Sequence, residues 1–289
     1  MQKKSFGTTP SALKWHPDAE KAVGKAPFFV RKRIRARVEK EALENSKTVV
    51  TLAEVKATQQ RFLNHQEKEI KGYQLDTCFG HTGCPMRAVV TDKLVAKIET
   101  IFQQAELLGF LKSQVNGKLK FHHEFRVTVA DCPNACSQPQ IKDIGIIGAV
   151  MPQTTNQACS LCEACTEVCK EAAIELSGSE AAPRIDPNLC VRCGQCVPVC
   201  PTETIVSGQT GYRVLLGGRL GRHPRLAIEL PGLYDEATVL KIVATSIDLY
   251  KRKSRNGTRF AHLLTDQDID QLIEQLDQSP DPYNLLKSI

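Results

Sequence analysis

Twelve cysteines fall into two groups whose spacing sets the chemistry. Cys78 and Cys84 form a C-x5-C pair, and Cys132 and Cys136 form a C-x3-C pair within Asp131-Cys132-Pro133-Asn134-Ala135-Cys136, about fifty residues on. Read together, the two pairs are a split four-thiolate site. Soft thiolates with no partnering histidine at zinc-finger spacing favour an iron–sulfur cluster over a hard cation. The second group is denser: Cys159-x2-Cys162-x2-Cys165-x3-Cys169, then Cys190-x2-Cys193-x2-Cys196-x3-Cys200-Pro201.

That second run has the bacterial ferredoxin spacing twice over, in which the fourth cysteine of each motif serves the other cluster. Cluster one would use Cys159, Cys162, Cys165 and Cys200; cluster two would use Cys190, Cys193, Cys196 and Cys169. Structural zinc is the competing reading, but it typically takes two separated C-x2-C pairs. Lys170 stands where a proline often follows the fourth cysteine. Such a module carries single electrons and has no substrate pocket of its own, so another part of the chain must use them.

The elements that position these thiols can be read around them. Residues Leu13 to Leu63 show helical periodicity, with Pro17 at one helix start, Pro27 opening the run Phe28 to Val38, and a Thr51/Glu54 capping box before Val55 and Phe62. Arg31 to Arg37 read as a solvated helix face, with an acidic partner or cofactor carboxylates as the alternative. Gly80 and Gly83 let the chain bend between Cys78 and Cys84, and Pro85 is expected to open a long helix from Met86 to Leu111 whose N-terminal N–H groups face the cluster. His81 is a proton-donor candidate, although a lone loop histidine is more often a surface residue.

Lys120 to Ala130 alternate in polarity, which predicts a strand delivering Cys132 and Cys136 from its end. Its polar face, Lys120, His122, Glu124, Arg126 and Thr128, would either read an anion, with Arg126 nearest the cysteines, or meet solvent. Ile144 to Val150 predict a buried strand, and Tyr212 to Gly218 resume strand pattern after the cysteine-rich block, which therefore looks inserted into a host domain. Helices are expected from near Asp235 and near Thr265.

The chain is long enough for two or three domains with real cores. Met1 to Ser5 are not followed by an apolar signal core, so the thiols are expected to be reduced and metal-bound in a cytoplasm. No apolar run approaches the ~20 residues of a spanning helix. The net charge of +6 is modest and scattered, with no aromatic platform for nucleic acid, leaving an anionic substrate or cofactor as the sharper reading.

Taken in order, Cys78-x5-Cys84, the Asp131 to Gly148 segment and Tyr212-Arg213-Val214-Leu215-Leu216-Gly217-Gly218-Arg219 resemble the sirohaem nitrite and sulfite reductases. The likeness is strongest to the dissimilatory and anaerobic sulfite reductases, which carry a ferredoxin module after the second cysteine pair. Residues 13–63, beginning Lys14-Trp15-His16-Pro17, resemble the small helical domain of a light-independent protochlorophyllide reductase subunit.

The resemblance implies that Cys78, Cys84, Cys132 and Cys136 hold a [4Fe–4S] cluster and that Cys136 also bridges to sirohaem iron, giving three clusters and one sirohaem. It implies six-electron reduction of sulfite to sulfide, with nitrite reduction to ammonia as the alternative, and an electron-donating ferredoxin or iron–sulfur subunit. Basic residues would serve the sirohaem carboxylates and the substrate oxygens: Arg126, Lys142 and Arg87 at the substrate, and Arg219, Arg222 and Arg225 with Gly217 and Gly218 at the cofactor.

Two departures stand out. Relatives carry Lys-x-Lys where this chain has Glu124 and Arg126, and they carry a half-domain ahead of the first cysteine pair that is lacking here. Either the helical domain caps the sirohaem, or a partner subunit or self-association completes the pocket, or the chain is a non-catalytic electron-transfer subunit. The expected fold is α+β: tails at 1–10 and 280–289, a helical domain over 11–66, a reductase-like domain over 67–154 and 208–279 with an antiparallel or mixed sheet, and a ferredoxin insert over 155–207.

Overall fold

A computed structural model describes residues 13–176 and 183–276, the side chains of 63–68 and 81 excepted. Both expected tails and the side chain of His81 lie outside the described residues. The chain divides into two compact units, one ending at Glu69 and the other starting at Ile70, with the cysteine-rich block in the second.

The first unit holds β1 (Lys14–Trp15), α1 (Pro17–Gly24), α2 (Phe28–Glu44), β2 (Val49–Val50) and α3 (Leu52–Glu69). β1 and β2 pair in parallel, a short pairing that helical periodicity does not reveal. The core is Ala19, Val23, Val38, Ala42, Val50 and Val55. Thr51 caps α3 through Glu54, whose carboxylate accepts from the Thr51 N–H at 2.8 Å and its hydroxyl at 2.5 Å. Arg31, Lys32, Arg33 and Arg37 are exposed, as a solvated face requires. Phe28 and Phe29, by contrast, open α2 at 81% and 72% exposure, so the first apolar residues of that run face away from the core.

The second unit is built on a mixed five-stranded sheet of β3 (Tyr73–Thr77), β4 (Phe125–Ala130), β5 (Ile144–Thr154), β8 (Ile205–Leu216) and β9 (Ile228–Glu229), in that spatial order. β3, β4 and β5 run parallel, and β8 and β9 are antiparallel to their neighbours. The insert holds α6 (Ala164–Val168), β6 (Ile174–Glu175) and β7 (Arg184–Ile185). Around the sheet lie α4 (Asp92–Ala105), α5 (Leu107–Gln114), α7 (Glu236–Lys253), α8 (Phe260–Leu263) and α9 (Asp266–Gln275).

Alternate residues of the strands, Phe125, Val127 and Val129, Ile144 and Ile146, and Tyr212, Val214 and Leu216, share one core with Leu94, Ile98 and Phe102 of α4 and Val239, Ile242, Val243 and Ile247 of α7. β5 is buried from Ile144 through Pro152, as its unbroken apolar run demands. It then continues past the sheet with β8 as a two-stranded arm ending at Thr154 opposite Ile205, and the insert hangs from that arm.

Two expected elements differ. The helix expected over 86–111 is two helices, because Glu106 adopts φ 48° between α4 and α5 and residues 85–91 are not helical. The N–H groups of Ala88 and Val89 both bond the carbonyl of Asp131, at 3.0 Å each, so that stretch is spent on a tertiary contact. The first cysteine pair is therefore not at the start of that α-helix; Cys78 instead caps a one-turn 3₁₀ helix over Phe79–Thr82. The strand expected over 120–130 begins only at Phe125, after a 3₁₀ turn over Phe121–His123.

Candidate iron–sulfur site

β3 and β4 end side by side, and each releases a cysteine pair from its C-terminal end. Cys78 follows β3, with its N–H on the Val129 carbonyl at 3.1 Å. The Cys78 sulfur then accepts N–H groups from Gly80 and from Asp131, both at 3.3 Å, so the two distant pairs are joined through sulfur. Beyond Asp131 the chain folds back over the sheet face opposite the helical core. There the Ser137 hydroxyl donates to the Val129 carbonyl at 3.0 Å, and that of Thr128 bonds the Asp76 carbonyl at 3.1 Å. Gly145 makes room beneath, since a Cβ on it would stand 2.3 Å from the Pro139 carbonyl oxygen.

Burial pushes the Cys132 thiol up, the Asn134 N–H pulls it back, and the charges of Cys78, Cys84 and Cys136 push it up again. Cys78, Cys84 and Cys136 are thus all within electrostatic reach of Cys132. In the insert the same crowding sorts the cysteines: Cys190 and Cys196 are raised first by burial, Cys196 to about 12, and both sense Cys193 and Cys169. Cys165, also raised by burial, senses Cys159 and Cys162. Cys200 packs in an apolar cluster that also holds Cys165, Cys169 and Cys196, where the two groups meet. Its thiol is held low because, against burial, the Ile205 N–H and the Thr202 hydroxyl bond its sulfur.

These sulfurs accept backbone hydrogen bonds: Leu161 to Cys159 at 3.4 Å, Ala173 to Cys169 at 3.3 Å and Ile205 to Cys200 at 3.3 Å. N–H groups aimed at cysteine sulfur tune iron–sulfur clusters, and mutual thiolate repulsion is relieved by protonation or by a cationic group that displaces the protons. Among the described residues, no three His, Cys, Asp or Glu close to the spacing of a single-ion site.

Asp131, adjacent to Cys132, organises the host site in a way the sequence did not signal. Its buried carboxylate meets Arg87 Nε at 2.6 Å and accepts from the Thr91 hydroxyl at 2.6 Å. Gly80 is required beside it, because a Cβ there would lie 2.0 Å from Asp131 Oδ2. The only advance sign was Asp131's place in the cysteine motif.

Most of the basic candidates are engaged by protein partners. Arg87 is tied to Asp131 and, at 2.5 Å, to Asp92. Arg126 lies at the start of β4, about 13 Å of extended strand before Ala130. Its backbone N–H bonds Asp143 at 3.0 Å and its guanidinium the Phe121 carbonyl at 3.3 Å, so it is not the group nearest the cysteines.

Lys120 and His122 of that polar face are exposed, as the solvent reading expects, whereas its other members turn inward. Glu124 is 3% exposed and accepts N–H groups from Lys71 and Gly72, and Thr128 is fully buried. Lys142 pairs with Asp76 at 2.6 Å. Arg225 donates to the carbonyls of Gly217 and Ala261, and Arg219 donates to those of His223 and Ala261. Arg222 is exposed. Gly218 presses on the 140–142 backbone, where a Cβ would stand 2.4 Å from the Gln140 carbonyl oxygen.

The chain belongs to the family of the nitrite and sulphite reductase 4Fe-4S domain, which matches residues 74–281. Residues 15–58 match the proto-chlorophyllide reductase 57 kD subunit. The chain is 33% identical over 145 residues to the coenzyme F420-dependent sulfite reductase of Methanocaldococcus jannaschii, covering 50% of this chain and 21% of that protein. It therefore spans about a fifth of that relative's length. Among solved structures, dissimilatory sulfite reductase I aligns over 72% of this chain and 53% of its own at 13% identity and TM-score 0.47. The Mycobacterium tuberculosis NirA protein aligns over 68% and 26% at 17% identity and TM-score 0.36. Among the described residues, no helix is long and apolar enough to cross a membrane.

Proposed function

We propose that this chain is a sirohaem- and iron–sulfur-dependent oxidoreductase, or the subunit of one, that reduces sulfite to sulfide with electrons relayed through its cysteine-rich insert. The observation carrying this reading is the convergence of Cys78, Cys84, Cys132 and Cys136 at the paired ends of β3 and β4. These four would hold a [4Fe–4S] cluster, and the two insert quartets would hold two more.

The surroundings fit a large apolar macrocycle rimmed with carboxylates. Cys136 is exposed, Phe79 and Val90 beside the first pair are 78% and 64% exposed, and Leu220 and Leu226 flank the exposed Arg222. Cys136 would reach the sirohaem iron, and the exposed Arg222 would face its carboxylates. Bound there, sirohaem would supply the metal centre at which a sulfur oxyanion is reduced. The chain's own contribution is to hold Cys136 outward through Ser137 and Thr128 and to fix Asp131 beneath it.

A relay subunit that lacks its own substrate site is favoured by one observation: Arg87, Arg219 and Arg225 are committed to protein acceptors. Anaerobic purification separates the two readings. A sirohaem absorption band with iron and labile sulfide for three cubanes supports the reductase, and cluster absorbance without a tetrapyrrole leaves the relay. Turnover of sulfite against nitrite assigns the substrate.

A further inference from the structure

We propose that the two insert quartets hold fixed and different places in the relay: Cys169, Cys190, Cys193 and Cys196 pass electrons to the host site across a contact with Val150, and Cys159, Cys162, Cys165 and Cys200 receive them from outside. This rests on the iron–sulfur reading above and adds a direction to it.

The contact is built into β5. The Val150 N–H donates to the Arg192 carbonyl at 2.8 Å, and Val150 bridges in parallel register to Cys193. Gly194, at φ +70°, lies so close that a Cβ on it would stand 2.8 Å from the Val150 Cβ. The turn that carries Cys193 is therefore pressed onto the host sheet. Two residues back along β5, Gly148 packs under Asp131, where a Cβ would stand 2.7 Å from its carbonyl oxygen. Asp131 in turn precedes Cys132 and donates its N–H to Cys78. A short run of covalent and packed atoms thus joins Cys193 to the host thiols. In the other quartet Cys162 is exposed, and Leu161 beside it is 50% exposed.

Each transfer moves one electron. A reduced external donor loses it, the outer centre gains it, and it passes inward with no bond made or broken and no proton required.

The test uses the fully loaded chain, reduced anaerobically and read by rapid-freeze electron paramagnetic resonance. Gly194→Val should lift the 192–194 turn from Val150. The expected result is intact insert signals, a several-fold slower electron transfer to the host centre and weaker magnetic broadening between the two. Val150→Ala, which leaves the turn unstrained but removes the packing, should shift both readings the same way by less. Leu161→Ser should leave the inward rate unchanged. Unchanged rates and broadening in both the Gly194 and Val150 variants overturn the assignment, as does a Leu161 variant that slows the inward step equally. A native preparation with no cubane signals overturns the iron–sulfur reading and this relay together.

Discussion

Arg87 and Asp131 meet at 2.6 Å across the mouth of the host cysteine site, the carboxylate buried and the guanidinium largely so. The pair couples the loop after the first cysteine pair to the residue that opens the second. Removing one member leaves the other's charge stranded. Arg87→Ala should therefore cost about 3 kcal/mol in denaturant unfolding, the low end for a broken buried pair because Arg87 keeps some solvent contact. Adding Asp131→Asn should recover part of that loss, and a double variant no more stable than Arg87→Ala would refute the pairing.

Gly80 gives a sharper structural test. Alanine there drives a methyl group into the Asp131 carboxylate, and forced overpacking costs about 1–3 kcal/mol. The expected signature is loss of iron from the host centre, measured per chain, with the iron of the insert retained.

Cys136 is the exposed member of its quartet, whereas Cys132 is buried. On the reading proposed above, Cys136→Ser should abolish sulfite reduction and disturb a tetrapyrrole spectrum while the insert clusters remain reducible by dithionite. Unchanged turnover would remove Cys136 from the proposed bridge.

Glu124 holds the entry to β3 by accepting from Lys71 and Gly72 N–H groups and from the Gln74 amide at 2.7 Å. Hydrogen bonds to a buried charge contribute about 1.5–3 kcal/mol. Glu124→Ala should lower stability by roughly that amount, read from the urea midpoint. A loss of sulfite affinity without a loss of stability would return Glu124 to the substrate site.

Asp268 makes a pH prediction. Burial would raise its carboxyl, but hydrogen bonds from Lys253 and Thr265 outweigh that and hold it below the ordinary range. A depressed folded value means that the stabilisation is complete above the unfolded Asp value of about 3.9 and is lost as pH falls through the folded value. Asp268→Asn should be less stable than the native chain at pH 7, and the difference should shrink as pH falls below about 4. A pH-independent difference would assign the effect to packing instead.

Much of the architecture was legible because local rules sufficed. Asp235 and Thr265 cap α7 and α9 where the sequence put helix starts, and Ile144 to Val150 are buried as an unbroken apolar run requires. Where reading failed, a tertiary partner had overridden a local preference. Met86 to Thr91 gave up helix to bond Asp131. Glu124 turned inward to cap backbone N–H groups that no alternation pattern reveals. Arg126 looked adjacent to Cys132 in the sequence but is separated from it by the length of β4.

Cysteine spacing by itself determined that the thiols come in closely spaced groups whose softness suits iron and sulfide, because ligand type and local turn geometry are encoded within a few residues. Only the tertiary structure decided that β3 and β4 end together, that Asp131 and Arg87 lock the two pairs, and that the Cys193 turn rests on Val150. Those relationships join residues tens of positions apart, and their physical cause is the burial of a shared sheet core, which no single segment contains.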